Sequence, residues 1–287
     1  MAFRGLSLRR LSLPSGLKIA CWDVGPFSGS FSKETSPFAH PPLVLLHGLG
    51  GDRREWLFSL FMLARKRRVL AFDLLAHGNS ETPARNGVTY RIRLLTNVLV
   101  EAIQVLPEVP HVVDLLGHSL GGAIALDVAL RYPRLLRRLV LVDSAGLLAS
   151  DSLSPFSVSL VFAPRNFLEA RRLLKTSVNS PLLNNSFIAW VTAHAKRERH
   201  NHPELVKILA SVAAGQDAVS HAQLRSIRHE TLVLWGAGDR IFPVATGRRV
   251  ADSMPHARLE IVPGSGHVLP VERPFAFARR VTAFLDS

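Results

Sequence analysis

Short apolar runs alternate with longer amphipathic stretches over most of this chain, and the two lengths predict two kinds of element. Residues 43–47, 68–73, 111–116 and 138–143 are rich in Val and Leu with few polar interruptions, as strands buried on both faces are. Between them, 53–64, 90–105 and 119 to about 131 carry apolar residues at the spacing of a helix face. Strand patterning returns at 231–235 and 259–262, and 271–285 reads as a closing helix. Such alternation predicts an α/β architecture, a mostly parallel sheet flanked by helices. It stops between about 147 and 229, a helical and irregular stretch that includes apolar segments at 156–162 and 205–214. The expected organisation is therefore a core from 1–146, a helical insertion over 147–229 and the rest of the core over 230–287. At the front, residues 8–24 alternate around Pro14-Ser15-Gly16 as an antiparallel hairpin would, followed by a Gly/Ser/Pro-rich loop over 25–42.

Composition narrows the class without changing this picture. A chain of 287 residues with 47% hydrophobic content can bury one sizeable core plus an insertion. Arg4, Arg9 and Arg10 precede the first acidic residue, Asp23, as in a transit peptide, but the hairpin pattern is the stronger reading. No secretory apolar segment opens the chain, and charges interrupt every long apolar stretch, so a soluble cytoplasmic protein without stable membrane insertion is expected. One cysteine, Cys21, excludes an intramolecular disulfide framework and fits a reducing compartment. The net charge of +13 raises the question of nucleic acid. The basic residues fall in scattered pairs, however, and the one cluster, Arg65-Lys66-Arg67-Arg68, has no interleaved aromatics on which bases could stack. A solvated basic surface, and no nucleic-acid partner, is the expectation.

Candidate chemistry begins at Gly117-His118-Ser119-Leu120-Gly121, where an apolar strand meets a helical segment. A reversal this tight holds the residue at its apex in a strained backbone conformation and needs small neighbours at 117 and 121. The Ser119 hydroxyl then projects beside a helix N-terminus with free N–H groups. It becomes a nucleophile only with a base to take its proton. Two further strand ends supply the partners: Asp239, just past 231–235, and His267, in the Gly-rich turn after 259–262. The order Ser119, Asp239, His267 is the one this kind of triad follows on such a sheet. Asp143 also ends a strand and is a rival acid. Asp239 could instead cap the helix that starts near Val244. His118 reads as a packing residue, and the His200/His202 pair as a solvated loop rather than a metal site, since further ligands at suitable spacing are missing.

With the segments His47-Gly48-Leu49-Gly50-Gly51, Asp73 to Ser80, the serine turn, Trp235 to Pro243 and Gly264 to Pro274 in this order, the chain resembles the α/β-hydrolase fold superfamily, in its capped serine esterase and lipase-like branch. The resemblance covers about Leu8 to Leu285; it makes the insertion over 147–229 a helical cap and is weakest there. It implies Ser119, Asp239 and His267 as catalytic residues, with backbone N–H groups of Leu120 and Leu49 as the oxyanion hole and the two leucine side chains free to line the acyl site. It implies no cofactor and no metal. Ala76 stands where the family commonly has glycine, a departure expected to act on loop shape. No ionic anchor stands out in the cap, so Leu147, Leu148, Phe156, Phe162 and Trp190, with Val268, are candidates for an apolar substrate pocket. The expected partner is a small, uncharged, moderately hydrophobic ester. Carbon–carbon hydrolysis of a dienoate uses the same groups, but that branch typically has methionine and tryptophan where this chain has Leu120 and Val268. The same scaffold also serves cofactor-free perhydrolases and, outside enzymes, ligand receptors on a hydrolase fold.

Overall fold

A computed structural model describes residues 3–26, 40–83, 89–106, 109, 112–147, 167–185 and 203–287. The apolar runs form eight strands: β1 Phe3–Ser12, β2 Lys18–Pro26, β3 Leu43–Leu46, β4 Val69–Phe72, β5 Val113–His118, β6 Leu136–Val142, β7 Glu230–Gly236 and β8 Ala257–Val262. They make one sheet in the order β1-β2-β4-β3-β5-β6-β7-β8. The first two pair antiparallel, as the hairpin pattern predicts, β2 joins β4 antiparallel, and from β4 to β8 the sheet is parallel.

The near-continuous hydrophobicity of the central strands has a simple cause: both faces are covered. Val44 and Leu46 point with Leu70 and Phe72 into one core, while Leu43 and Leu45 point with Val69 and Ala71 into another. Helices α2 (Ile92–Gln104) and α3 (Leu120–Arg131) supply the first core. The short α1 (Leu60–Leu63) and the C-terminal helix supply the second. The expected helix over 53–64 is instead a 3-10 turn, Arg53–Trp56, followed by the single turn of α1. Its anchor is Trp56, fully buried and stacked on Phe277 at 6.0 Å.

The segment between β6 and β7 contributes α4 (Phe167–Ser177), α5 (Pro203–Ala213) and α6 (His221–Ser226), and α7 (Val244–Ser253) follows β7. The closing helix is broken in two, α8 (Leu269–Glu272) and α9 (Pro274–Asp286). Arg273 between them leaves the helical region at φ −136°, ψ 53°, because the ring of Pro274 disfavours a helical residue before it while suiting the first turn of a new helix.

The cluster at 65–68 departs from the solvated surface expected of it. Arg65 and Lys66 are exposed, but Arg67 and Arg68 are buried. Arg67 Nη1 donates to Asp114 at 2.7 Å and Nη2 to Asp286, and Arg68 forms two 2.9 Å bonds to Asp23. Among the described residues, no helix is long and apolar enough to cross a membrane.

Candidate active site

Strand β5 continues through Gly117 and His118 to Ser119, which sits at φ 50°, ψ −114°. That is left-handed backbone for a residue with a Cβ, and it is held by its surroundings. The Ser119 N–H donates to Val142 O at 3.0 Å, and its carbonyl accepts from Gly122 and Ala145. The small flanking residues are steric requirements. A Cβ on Gly117 would strike the Gly121 carbonyl, and one on Gly121 would strike the Leu46 carbonyl.

Two loops bring partners to the serine. His267 Nε2 lies 3.1 Å from Ser119 Oγ, and its Nδ1 lies 2.9 Å from Asp239 Oδ2. The other oxygen, Asp239 Oδ1, accepts from the N–H groups of Ile241 and Phe242 at 2.8 and 3.0 Å. The carboxylate is thus fixed by its own loop rather than used as a cap for α7, whose cap position is Pro243. The carboxylate partner of His267 is Asp239 and not Asp143. Asp143 is fully buried beneath the site at φ 43°, with Oδ1 accepting from Gly236 N–H at 2.8 Å. Burial, and then the nearby Asp239 charge, push its carboxyl well above the usual carboxylate range.

The loop after β3 is tied down on both sides of Leu49. Gly48 N–H donates to Glu55 Oε2 at 3.2 Å, Gly50 N–H to His77 Nε2 at 3.1 Å and Gly51 N–H to Gly48 O at 3.0 Å. Leu49, between them, contributes no N–H to these bonds. Leu120, the first residue of α3, has an N–H with no acceptor inside the helix. The side chains part company: Leu49 lines the cavity above Ser119, whereas Leu120 is buried in the core, contrary to the expectation that both line an acyl site. Ala76 has φ 65°, so the position needs the left-handed conformation that glycine adopts without penalty.

The cavity has a volume of about 290 Å³. Its floor is Ser119, His118, His267 and the Gly48–Leu49 backbone, and its wall includes Leu173, Leu174, Val178, Leu183, Ile241 and Val268. Val268 is therefore where the sequence puts it, packed with Ala170, Leu174, Val178 and Leu183. Leu147 forms an isolated bridge with Val219 and is not on this wall. Leu148, Phe156, Phe162 and Trp190 lie outside the described residues, as do His200 and His202. The wall leucines were legible in principle: Ala170, Leu173, Leu174 and Ser177 are the buried face of α4 at helical spacing.

Two carboxylates in the cavity carry no signal in the sequence. Glu272 Oε1 accepts from Gly266 N–H, and Oε2 from Asn179 and Ser180, all at 2.8 Å. Together with the 2.8 Å bond from His267 N–H to Ser177 O, it fastens the segment after α4 to the histidine loop. Glu55, in the 3-10 turn, lies 2.7 Å from His118 Nδ1. His118 is thus no tolerant packing residue but lies against a buried glutamate.

A family model described as the alpha/beta hydrolase fold matches residues 41–274. The chain is 33% identical over 250 residues to a 2-hydroxymuconate semialdehyde hydrolase of Pseudomonas sp. (strain CF600), covering 85% of this chain and 86% of that protein. It is 30% identical over 246 residues to a dihydrolipoyllysine-residue acetyltransferase component of an acetoin cleaving system from Pseudomonas putida; the match covers 85% of this chain but 63% of that protein's length. Among solved structures, a membrane phospholipase A described as a bacterial virulence factor superposes with a TM-score of 0.79 at 25% identity, covering 98% of this chain and 86% of that one.

Proposed function

The chain belongs to the α/β-hydrolase fold family, and from that premise we propose that it is a serine hydrolase cleaving carboxylic esters of uncharged, moderately hydrophobic acids through an acyl-enzyme. The observation that carries this reading is the hydrogen-bonded series Asp239–His267–Ser119 opening onto an aliphatic wall. Ser119 Oγ adds to the ester carbonyl as His267 Nε2 takes its proton. Asp239 holds the Nδ1–H tautomer and stabilises the imidazolium that forms. The N–H groups of Leu49 and Leu120 bind the oxyanion, where charge develops in the transition state. Collapse expels the alcohol, protonated by His267, and water repeats the sequence on the acyl-enzyme. Residues 147–229 act as the cap, contributing the α4 side of the acyl wall.

The charge state of the wall supports an uncharged acyl group. Its two carboxylates are engaged with His118 and with backbone N–H groups, and among the described residues it includes no arginine or lysine. A dienoate would bring a carboxylate that needs such a partner. Carbon–carbon hydrolysis is the second reading because of the 33% identical semialdehyde hydrolase; Leu120 and Val268 speak against it.

Turnover of p-nitrophenyl butyrate by the wild type and by Ser119→Ala tests the site. The substitution is expected to lower kcat on the order of 10⁶-fold, and equal rates for the two proteins would overturn the assignment. A panel of esters graded by acyl length, with one dienoate beside it, tests the substrate class. A higher kcat/KM for the dienoate than for every ester would replace the first reading with the second.

A further inference from the structure

Behind the nucleophile turn lies a pair of ionisable groups that ester cleavage by Ser119, His267 and Asp239 does not use. His118 Nε2 is 2.7 Å from the carbonyl oxygen of His267, and His118 Nδ1 is 2.7 Å from Glu55 Oε1. Glu55 Oε2 accepts the Gly48 N–H. The His118 side chain is 4% exposed and that of Glu55 9%.

Both neighbours of the imidazole are acceptors. A carbonyl offers no proton, so Nε2 must carry one and donate it. The remaining proton lies between Nδ1 and the carboxylate, and imidazole is the stronger base by about two pH units. His118 is then a doubly protonated cation paired with a carboxylate, an arrangement in which each charge offsets the burial cost of the other. Burial by itself draws His118 down, yet the Glu55 carboxylate at 2.7 Å and the His267 carbonyl hold it above the ordinary imidazole range. Burial likewise pushes Glu55 up, and the adjacent His118 with the Gly48 N–H brings it below the ordinary carboxylate value. The other titratable groups facing the pair are His47, His267 and Asp239.

We propose that Glu55 and His118 form a positioning pair: a fixed imidazolium–carboxylate brace that locks the Gly48–Leu49 loop, the serine turn and the His267 loop into one rigid unit. This rests on the serine-hydrolase reading for its consequence, though not for its chemistry. Three connections converge on it. Glu55 holds Gly48, the residue before the Leu49 donor, and His118 adjoins Ser119 in the chain and holds the backbone of His267. Gly48 packs directly on the pair, since a Cβ there would lie 3.0 Å from His118 Nδ1 and 3.3 Å from Ser119 Cβ. The geometry of nucleophile, base and oxyanion donor thus passes through one buried contact. Displacing a reacting group by about 1 Å costs roughly 10²-fold in rate, and the brace guards against displacements of that size.

The test has two arms on the full chain. Side-chain ¹⁵N spectra of the wild type, with His118 assigned by the signals lost in His118→Gln, read protonation directly. The His118 ring is expected to lose its second proton only above the ordinary imidazole value of about 6.5. A His118 nitrogen already unprotonated at or below that value would overturn the brace, whatever the protein catalyses. In the second arm, Glu55→Gln keeps an acceptor for Gly48 but removes the charge. It is expected to lower kcat on p-nitrophenyl butyrate about 10²-fold with KM changed only a few-fold. His118→Gln should match it, and the double variant should be no slower than either single one. An unchanged kcat in Glu55→Gln, or losses that multiply in the double variant, would overturn the positioning role. Failure of the hydrolase reading is recognised separately, by wild-type turnover that survives Ser119→Ala.

Discussion

The two ends of the sheet bury polar groups in opposite ways. At the amino ends of the strands, Asp114 accepts from Arg67 at 2.7 Å and from Arg137 at 2.8 and 2.7 Å, and Arg67 also reaches Asp286. Both oxygens of this carboxylate are matched by the Arg137 fork and one also by Arg67, the geometry that makes burying such charges tolerable. At the carboxyl ends, Ser119, Asp143 and Ala76 adopt positive φ, and one oxygen of the fully buried Asp143 lacks a hydrogen bond. The first end is complete in itself. The second holds strained backbone at and beside the serine, which is the form expected of a functional site.

The sharpest way to break this contrast is to compare the two strand-end aspartates. Asp239→Asn is expected to lower kcat about 10⁴-fold, because the amide favours the wrong imidazole tautomer. Asp143→Asn should cost only a few-fold, since the carboxyl is already held toward its neutral form and the amide resembles it. The sign of its stability effect follows from linkage. A carboxyl whose folded pKa is raised contributes stability below its unfolded value of about 3.9 and loses it as pH rises toward the folded value. Thermal melts should therefore show Asp143→Asn gaining on the wild type as pH increases above about 4. If Asp143→Asn proves the slower enzyme, the acid belongs to β6 and the contrast between the two aspartates is lost.

At the opposite end, Asp114→Ala leaves the Arg67 guanidinium buried beside a lost partner. Urea unfolding should show a loss of about 3–5 kcal/mol, while kcat of the folded protein stays within a few-fold of wild type. A large fall in kcat without destabilisation would mean that this network serves the chemistry after all.

The smallest expected effect separates strain that serves chemistry from strain that does not. Ala76→Gly and Ser119→Gly each relieve a left-handed residue and should each add about 1 kcal/mol of stability. Only Ser119→Gly should abolish turnover. Equal retention of activity would remove the serine from the site.

Much of the fold was legible because its causes are local. Strands covered on both faces must be apolar at every position, so residues 43–46, 69–72 and 139–142 announce themselves. The tight serine turn requires glycines at 117 and 121 for steric reasons that a short motif can carry. Other features needed partners distant in the chain. The split between α8 and α9 is signalled by Pro274, yet the apolar spacing over 271–285 runs straight through it. Asp143 and Asp239 each follow a buried strand; the order Ser119, Asp239, His267 favours Asp239, and packing brings that carboxylate to His267. Glu55 is one more charge in Asp52-Arg53-Arg54-Glu55 until the turn buries it against His118. The run at 65–68 reads as a solvated patch until Asp114, Asp23 and Asp286 arrive from distant segments.

What the sequence by itself determined is the strands and most of the helices, the mostly parallel character of the sheet and the residue types at each strand end, because helix and strand periodicity, buried-strand composition and glycine sterics act over a few neighbouring residues. What only the tertiary structure decided is how charges are shared: which histidine is paired with a buried glutamate, and which arginines are buried. Those outcomes depend on burial and on distances of about 3 Å between groups far apart along the chain, and no local pattern encodes them.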